Sequence, residues 1–307
     1  MTDGLPFRRD TGQGDDEGAM SDWSRIGKAY HALVRACGEG GSLDAPWAEF
    51  VAEAMRARDH PPMHLVILFE CLTALERASG GRELVIVEHG CGAGQITVFL
   101  LALGYRGVHG VDIGGENLPR MNRVFRECRG IGEARLALYD GRKLPLADGT
   151  VDLVFSQQVL EHVTDDVLDD YYADEARVLR PGGLAYHQLP HRWAPYDSHS
   201  RTWLLHWLPR PLQLACYRLF GRNADYLDRI LHLRAPGAHL RRTRRFIGPV
   251  VDKTIERLTR LPDMARYEGS ARLRLAIYRL VRLPVVGRVA AFALKRLTML
   301  DTVATRR

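Results

Sequence analysis

Short apolar runs alternate with helical patterns between residues 84 and 189. The first run, Leu84-Val85-Ile86-Val87, is continuous and mostly β-branched, which is typical of a strand buried on both faces. Further apolar runs occupy 108–113, 135–139, 151–155 and 184–189, and helical patterns occupy 95–103, 116–128 and 165–179. Strands and helices at this spacing predict an α/β fold, with a mostly parallel sheet and helices on both of its faces.

The regions on either side of this core differ from it in pattern and in charge. We predict a disordered tail over residues 1–19, a helical region over 20–80, the core over 81–200 and a helical extension over 201–307. Residues 1–200 carry 20 basic and 30 acidic side chains, whereas residues 201–307 carry 23 and 7. The last third therefore either faces an anionic partner or packs on the acidic part of the chain.

A glycine-rich segment follows the first predicted strand and precedes a helix. It reads Glu88-His89-Gly90-Cys91-Gly92-Ala93-Gly94, so its glycines are spaced G-x-G-x-G. This spacing differs from the dinucleotide fingerprint G-x-G-x-x-G, and the Lys and Ser or Thr of a phosphate-binding loop are missing. Because the acidic Glu88 lies two residues before the first glycine, the segment favours a ligand that has an ammonium group and no phosphate.

Two more acidic residues follow later strands. Asp112 ends the second predicted strand, and an acid at this point typically accepts hydrogen bonds from the ribose of a nucleoside. Asp140 and Gly141 follow the third strand, and Ser156 lies at the end of the fourth. A helix stop, Arg180-Pro181-Gly182-Gly183, precedes the fifth.

Taken in this order, these segments resemble the class I S-adenosylmethionine-dependent methyltransferases, in particular their small-molecule group. The resemblance covers roughly residues 84–189. It implies a Rossmann-like sheet of seven strands, mostly parallel, with helices on both faces, and S-adenosylmethionine as the cofactor.

The resemblance also implies which residues contact the cofactor. The loop glycines Gly90, Gly92 and Gly94 would lie against its methionine part, and Glu88 would reach its amino group. Cys91 belongs to the same contact surface, and we expect its thiol to pack as a small side chain rather than to react.

The nucleoside part of the cofactor would meet the later segments. The resemblance implies that Asp112 holds the ribose, that Ile113 lines the adenine and that Asp140 meets the adenine amino group. Gly141 would keep its loop close to the adenine, and the segment from Ser156 to Val159 would line the pocket next to the transferable methyl group.

A hydroxyl acceptor benefits from a general base, and the candidates are histidines. His162 lies just past the fourth strand, while His191 and His199 lie in the loop after the fifth, which we expect to roof the pocket. We expect His187, inside a strand, to pack. The run 156–159 lacks the Asn/Asp-Pro-Pro-Tyr pattern of nucleobase amino methyltransferases, so the favoured acceptor is a hydroxyl on a small or lipid-linked molecule.

Three interpretations of the basic extension remain open. Its amphipathic stretches, 272–283 and 285–300, either contact an anionic membrane surface or pack on the core as a cap over the acceptor pocket. The basic cluster over 241–245 alternatively suggests RNA binding, which we consider the weaker hypothesis. A non-catalytic scaffold that binds the cofactor is a further alternative.

The cysteines and the lengths of the apolar runs limit the other classes of protein that this chain could belong to. The five cysteines are scattered and form no Cys-x-x-Cys pair, so we predict reduced thiols in a cytoplasmic protein and no metal site. No apolar run approaches the roughly 20 residues of a membrane-spanning helix. We therefore expect any membrane contact to be peripheral, at the inner surface, and the sequence leaves the oligomeric state open.

Overall fold

A computed structural model describes residues 22–59, 61–115, 117–197, 199–259 and 271–307. The predicted tail over residues 1–19 lies outside the described residues. Within them, no helix is long and apolar enough to cross a membrane.

Three helices form the N-terminal region, as predicted. They are α1 (Asp22–Glu39), α2 (Asp44–Asp59) and α3 (Val66–Ser79), and a short 3-10 turn precedes the last of these. Apolar side chains at three- and four-residue steps of α1, such as Ile26 and Leu33, are fully buried. The helices therefore pack on the core rather than forming a separate unit.

The core alternates strands and helices as the sequence predicts. Its strands are β1 (Ile86–His89), β2 (Val108–Asp112), β3 (Leu136–Leu138), β4 (Val151–Gln157) and β5 (Leu179–Leu189). Its helices are α4 (Gln95–Ala102), α5 (Leu118–Arg123), which continues as a π turn over Val124–Cys128, and α6 (Leu168–Val178). The five strands are parallel and adjacent in the order β3-β2-β1-β4-β5.

The sheet is completed by two strands from the C-terminal third. After a two-stranded hairpin, β6 (Tyr196–Asp197) and β7 (Thr202–Trp203), the chain forms β8 (Val250–Asp252) and ends in β9 (Leu300–Thr305). β9 pairs antiparallel with β5 and β8, giving the seven-stranded order β3-β2-β1-β4-β5-β9-β8.

This topology confirms the predicted seven-stranded sheet and corrects the predicted boundary at residue 200. Residues 201–307 do form helices: α7 (Arg210–Leu219), α8 (Ala224–Ile230), α9 (Pro236–Phe246), α10 (Thr254–Thr259), α11 (Ala271–Val281) and α12 (Val286–Leu297). They also supply the last two strands, so the extension is part of the core and not an addition to it. The physical reason is that β9 covers the edge of β5, which would otherwise expose unpaired backbone groups.

Side chains of successive strand residues divide between two apolar layers. On β1, Ile86 joins the layer that contains the N-terminal helices, whereas Val87 joins the layer under α6. Leu153 and Val154 of β4 divide in the same way. The alternation shows why these strands are apolar throughout: both faces of the sheet are covered.

Candidate functional site

A cleft of about 920 Å³ lies at the carboxyl ends of β1, β2 and β4, where ligands bind in open α/β sheets. Nine of the individually predicted site residues line it: Glu88, Gly90, Cys91, Gly92, Asp112, Ile113, Asp140, Gly141 and His162. Sequence reasoning therefore predicted the part of the cleft lining that the ends of these strands supply. The remainder includes residues from the N-terminal region, Trp23 and His64.

The glycine-rich loop has a conformation that other residues adopt only with strain. Gly90, Gly92 and Gly94 have φ angles of 87°, 54° and 83°. A Cβ atom on Gly90 would lie 2.5 Å from Val159 Cγ2, whereas one on Gly92 would meet nothing within 4 Å. Because Gly92 lines the cleft, its missing side chain leaves room there for a ligand. The hydroxyl of Tyr30, on α1, donates a hydrogen bond to the Ala93 carbonyl and holds the loop.

Glu88 is buried beneath this loop. Burial raises the pKa of Glu88 to about 8, although the hydroxyl of Thr97 donates a hydrogen bond to Oε2 and opposes the shift. An ammonium group on a bound ligand would stabilise the ionised carboxylate at this position. The residues present therefore fit the amino group of S-adenosylmethionine. Cys91, beside it, is buried with a raised thiol pKa, so it packs as predicted.

Asp112 connects the glycine-rich loop to the loop after β2. Its Oδ2 accepts a hydrogen bond from the Gly92 amide (2.7 Å), and its Oδ1 accepts one from the Gly114 amide (3.0 Å). Each carboxylate oxygen has a second lone pair, so the side chain can still accept hydrogen bonds from a diol.

The adenine side of the cleft combines an acid with an exposed apolar residue. Oδ1 of Asp140 accepts hydrogen bonds from the amides of Arg142 (2.9 Å) and Lys143 (3.0 Å), which lower the Asp140 pKa. Ile113 is 72% exposed and presents an apolar surface to the cleft. A Cβ on Gly141 would lie 3.2 Å from Ile113 Cγ2, so a larger residue would crowd this surface.

The structure places four predicted site residues away from the cleft lining: Gly94, Ser156, His191 and His199. Gly94 precedes the first turn of α4, and Ser156 is buried. His191 is buried with both nitrogens occupied: Nε2 donates to the Lys295 carbonyl (3.1 Å), and Nδ1 accepts from the Trp193 amide (3.1 Å). This geometry gives no support to His191 as a base.

The predicted packing histidine, His187, is part of a buried network. Glu175 on α6 bonds to His187 Nε2 (2.8 Å) and to His89 Nδ1 (2.9 Å). Burial opposes ionisation of Glu175, but the two histidines outweigh it and lower the Glu175 pKa to about 2. His89 thus faces away from Glu88, as strand alternation predicts.

Neither the loop after β5 nor the extension roofs the pocket with its described residues. Among residues 190–197, 199–259 and 271–307, none lines the cleft. These residues therefore give the cap interpretation no contact with the cleft; instead, the extension supports the cleft from behind. Arg234 donates hydrogen bonds to the carbonyls of Leu160 (2.9 Å) and Val163 (2.7 Å) in the loop after β4.

Sequence reasoning missed several lining residues, among them Trp23, His64, Tyr139 and Tyr171. Gln158, in the predicted pocket segment, does line the cleft and has a φ of 56°, a conformation that non-glycine residues rarely adopt. The N-terminal contribution had no sequence signal, because Trp23 and His64 lie far from the motifs along the chain.

Two of the candidate bases meet a third residue that sequence reasoning did not select. His162 and His199 stand edge to face, with ring centroids 4.8 Å apart. Their Nε2 atoms lie 3.9 and 3.7 Å from Oε1 of the buried Glu161. His162 lines the cleft, whereas His199 and Glu161 lie behind it.

The comparisons with known proteins agree with this geometry. A family model described as a methyltransferase domain matches residues 86–183. An uncharacterized methyltransferase from Mycobacterium sp. (strain JLS) is 34% identical over 135 residues, which cover 44% of this chain and 49% of that protein. The chain thus matches about half the length of this relative.

Solved structures with a similar fold include two from bacteria. Geranyl diphosphate C-methyltransferase from Streptomyces coelicolor A3(2) has a TM-score of 0.45 and 14% identity, over 84% of this chain and 82% of that one. An S-adenosylmethionine-dependent methyltransferase from Mesorhizobium loti has a TM-score of 0.43 and 22% identity, over 73% and 91%. The family match confirms the predicted resemblance over residues 86–183, which form a methyltransferase domain within the seven-stranded sheet.

Proposed function

We propose that this protein transfers a methyl group from S-adenosylmethionine to a hydroxyl group of a small or lipid-linked acceptor. The observation that carries the proposal is the cleft wall formed by Glu88, Asp112 and Asp140 around a glycine-rich loop with no phosphate-binding residues. When bound, the cofactor supplies an electrophilic methyl group on a sulfonium sulfur.

The residues of the cleft hold and orient the reactants. Glu88 binds the amino group, Asp112 the ribose hydroxyls and Asp140 the adenine edge of the cofactor. Positioning of two reactants and exclusion of water supply much of the rate enhancement in such a displacement. Trp23 and His64, from the N-terminal helices, line the same cleft and are available to contact the acceptor.

His162 is the histidine of the cleft that can act on a hydroxyl. Its Nδ1 donates a hydrogen bond to the Ile230 carbonyl (2.8 Å), so its Nε2 carries the lone pair. Burial lowers the pKa of His162, and the neighbouring His199 lowers it further, so the ring is neutral near pH 7. A neutral imidazole can accept the proton of an acceptor hydroxyl.

A lipid-linked acceptor is favoured by the outer surface of α12. Val285, Val289 and Phe292 are 76%, 67% and 60% exposed along one side of this helix. Lys295 lies about a quarter of the way around the helix from this side and pairs with Asp252 (2.9 Å). The helix therefore turns an apolar face outward, and the exposed Arg288 and Arg296 flank it. This arrangement suits an anionic membrane surface.

The RNA-binding alternative gains little from the basic cluster. Arg242 and Arg245 both pair with Asp169, at 2.9 and 3.3 Å, so part of the cluster neutralises the core. The scaffold alternative requires an experiment, because it predicts the same cofactor contacts.

The decisive test is transfer of label from tritiated S-adenosylmethionine to fractionated cell extract. We expect label in a small-molecule or lipid fraction with the wild type, and strongly reduced transfer with His162→Ala at unchanged S-adenosylhomocysteine affinity. His232→Gln, which changes a neighbouring histidine outside the cleft, is the control. Tight S-adenosylhomocysteine binding without any label transfer would favour the scaffold instead.

A further inference from the structure

Glu161, His162 and His199 direct one ligand atom each toward a common point. Glu161 and His162 lie in the loop after β4, and His199 lies in the turn between β6 and β7. The carboxylate oxygen and the two ring nitrogens all lie within 4.8 Å of one another. Within the described residues, this is the group of histidine, cysteine or acidic side chains that could hold a metal ion.

Glu161 lacks a partner in this arrangement. Its side chain is fully buried, and neither Oε1 nor Oε2 has a hydrogen-bond partner among the described residues. A buried carboxyl group without a hydrogen bond costs free energy, so its retention here needs a compensating ligand.

The two histidines are oriented as metal ligands are. The Nδ1 of His162 donates to the Ile230 carbonyl (2.8 Å), and the Nδ1 of His199 lies 3.3 Å from Asp197 Oδ1. Asp197 is itself fixed, because its Oδ2 accepts hydrogen bonds from the amide (2.9 Å) and hydroxyl of Ser200. Such outer partners set the tautomer and leave each Nε2 free for a metal.

From this geometry we infer that Glu161, His162 and His199 bind a divalent transition-metal ion at the wall of the cleft. Two imidazoles and one carboxylate suit ions such as Zn²⁺, Co²⁺ or Mn²⁺. Metal–ligand bonds of about 2.0–2.1 Å separate the ligand atoms by roughly 3.4 Å in a tetrahedral site. The two ring nitrogens lie 3.7 and 3.9 Å from Glu161 Oε1, and no two ligand atoms are more than 4.8 Å apart. Closure around an ion therefore requires the atoms to approach one another by at most about 1.4 Å.

The ion's role, though not its binding, rests on the proposed function. Three protein ligands leave at least one coordination position open, and His162 places the site at the cleft. An acceptor hydroxyl bound there through its oxygen would have a lowered pKa, and its proton would leave to solvent. His162 would then act as a ligand, and the ion would replace it as the group that activates the hydroxyl.

Metal binding can be measured without any acceptor. Full-length, tag-free protein is dialysed against a chelator and titrated with Co²⁺ and Zn²⁺, and bound metal and the visible absorption of Co²⁺ are recorded. We expect one ion per chain in the wild type and no saturable binding in Glu161→Gln or His199→Ala. Asp197→Asn, which alters only an outer partner, should weaken binding about 10–100-fold. His232→Gln is the matched control and should bind as the wild type does.

S-adenosylhomocysteine affinity, measured for every variant, reports whether the core is folded. The inference is overturned if folded wild type binds no metal, or if Glu161→Gln and His199→Ala bind Co²⁺ unchanged. Full label transfer by metal-free protein would overturn the ion's role and leave the proposed function standing. Metal binding without any label transfer would leave the metal site standing and overturn the proposed function.

Discussion

At the scale of single residues, Glu88 links the cofactor site to pH. The ordinary pKa of its carboxyl is 4.5, and burial raises it to about 8 in the folded protein. Between these values the folded protein holds a proton that the unfolded chain has lost. The free energy of unfolding therefore falls as pH rises from about 4.5 to 8, and Glu88→Gln should remove this contribution.

The same shift predicts how ligand binding depends on pH. Under the proposed function the ligand's ammonium group binds the ionised carboxylate, so binding of S-adenosylhomocysteine should release a proton from Glu88 below pH 8. Affinity should therefore rise toward pH 8, by at most about tenfold per pH unit. Calorimetry at pH 7 in two buffers with different ionisation enthalpies measures the proton release.

A matched variant separates this effect from general changes in charge. Glu133→Gln alters a glutamate whose side chain is 81% exposed and should bind S-adenosylhomocysteine with wild-type affinity and pH dependence. Glu88→Gln should lose both affinity and proton release. If it retained them, Glu88 would not be the residue that binds the ammonium group.

The predicted residues that do line the cleft share one property: their positions depend on neighbours in sequence. Glu88, Gly90 and Gly92 lie in one turn, and its geometry follows from the strand before it and the helix after it. The partnership of Glu161 with His199 joins positions 38 residues apart through a turn whose path the sequence does not specify. The sequence indicated the two histidines, and only the fold brings them to the buried carboxylate.

At the scale of elements, the difference between strands that are apolar on both faces and strands that carry polar residues explains which strands were predicted. β1, β2 and β4 are buried on both faces, so their apolar runs are continuous and easy to identify. β9 reads Leu300-Asp301-Thr302-Val303-Ala304-Thr305, with polar residues that face partners inside the protein. Because an amphipathic helix directly precedes it, periodicity alone does not separate the strand from the helix.

The polar residue at the start of β9 is held by a buried network. Asp301 is fully buried and accepts hydrogen bonds from the Tyr186 hydroxyl (3.0 Å) and from Gln188 Nε2 (2.8 Å). It also pairs with the buried guanidinium of Arg257, on α10. The network joins β5, β9 and α10, and it anchors the last strand of the chain.

Removal of the arginine should therefore destabilise the whole sheet. Arg257→Met leaves the Asp301 carboxylate buried without its cation, which typically costs about 3–5 kcal/mol. Urea unfolding should show this loss, and the double variant Arg257→Met/Asp301→Asn should recover part of it. The exposed Arg244→Met is the control; a loss from Arg257→Met no larger than the control's would show that the pair does not anchor β9.

At the scale of the whole molecule, the charge asymmetry has a structural explanation. Ion pairs connect the basic last third to the acidic first two-thirds: Arg234 with Asp165 (2.8 Å), Arg242 and Arg245 with Asp169, and Lys253 with Glu70 (4.0 Å). The sequence left two explanations of this asymmetry, an anionic partner or packing on the acidic part of the chain. These contacts show the packing. Such pairs use only some of the basic residues of the extension.

Basic residues of the α11–α12 region remain at the surface. Arg282 and Arg296 stack over Tyr278 and Phe292, with guanidinium-to-ring distances of 4.4 and 3.4 Å, and both are exposed. Guanidinium groups above aromatic rings, next to an exposed apolar face, can contact phosphate groups while the rings enter the lipid interface.

The membrane proposal therefore predicts binding that depends on both charge and apolar contact. Wild-type protein should sediment with vesicles that contain phosphatidylglycerol and much less with neutral phosphatidylcholine vesicles. The binding should weaken as salt shortens the Debye length. Val289→Asp/Phe292→Asp removes the apolar contact, and since a buried Phe contributes about 1.5–3 kcal/mol, it should weaken binding at least about tenfold. Met55→Asp, on the exposed side of α2, should bind as the wild type does. Absence of binding to anionic vesicles at low salt would contradict a membrane role for α12 and would favour a freely diffusing acceptor.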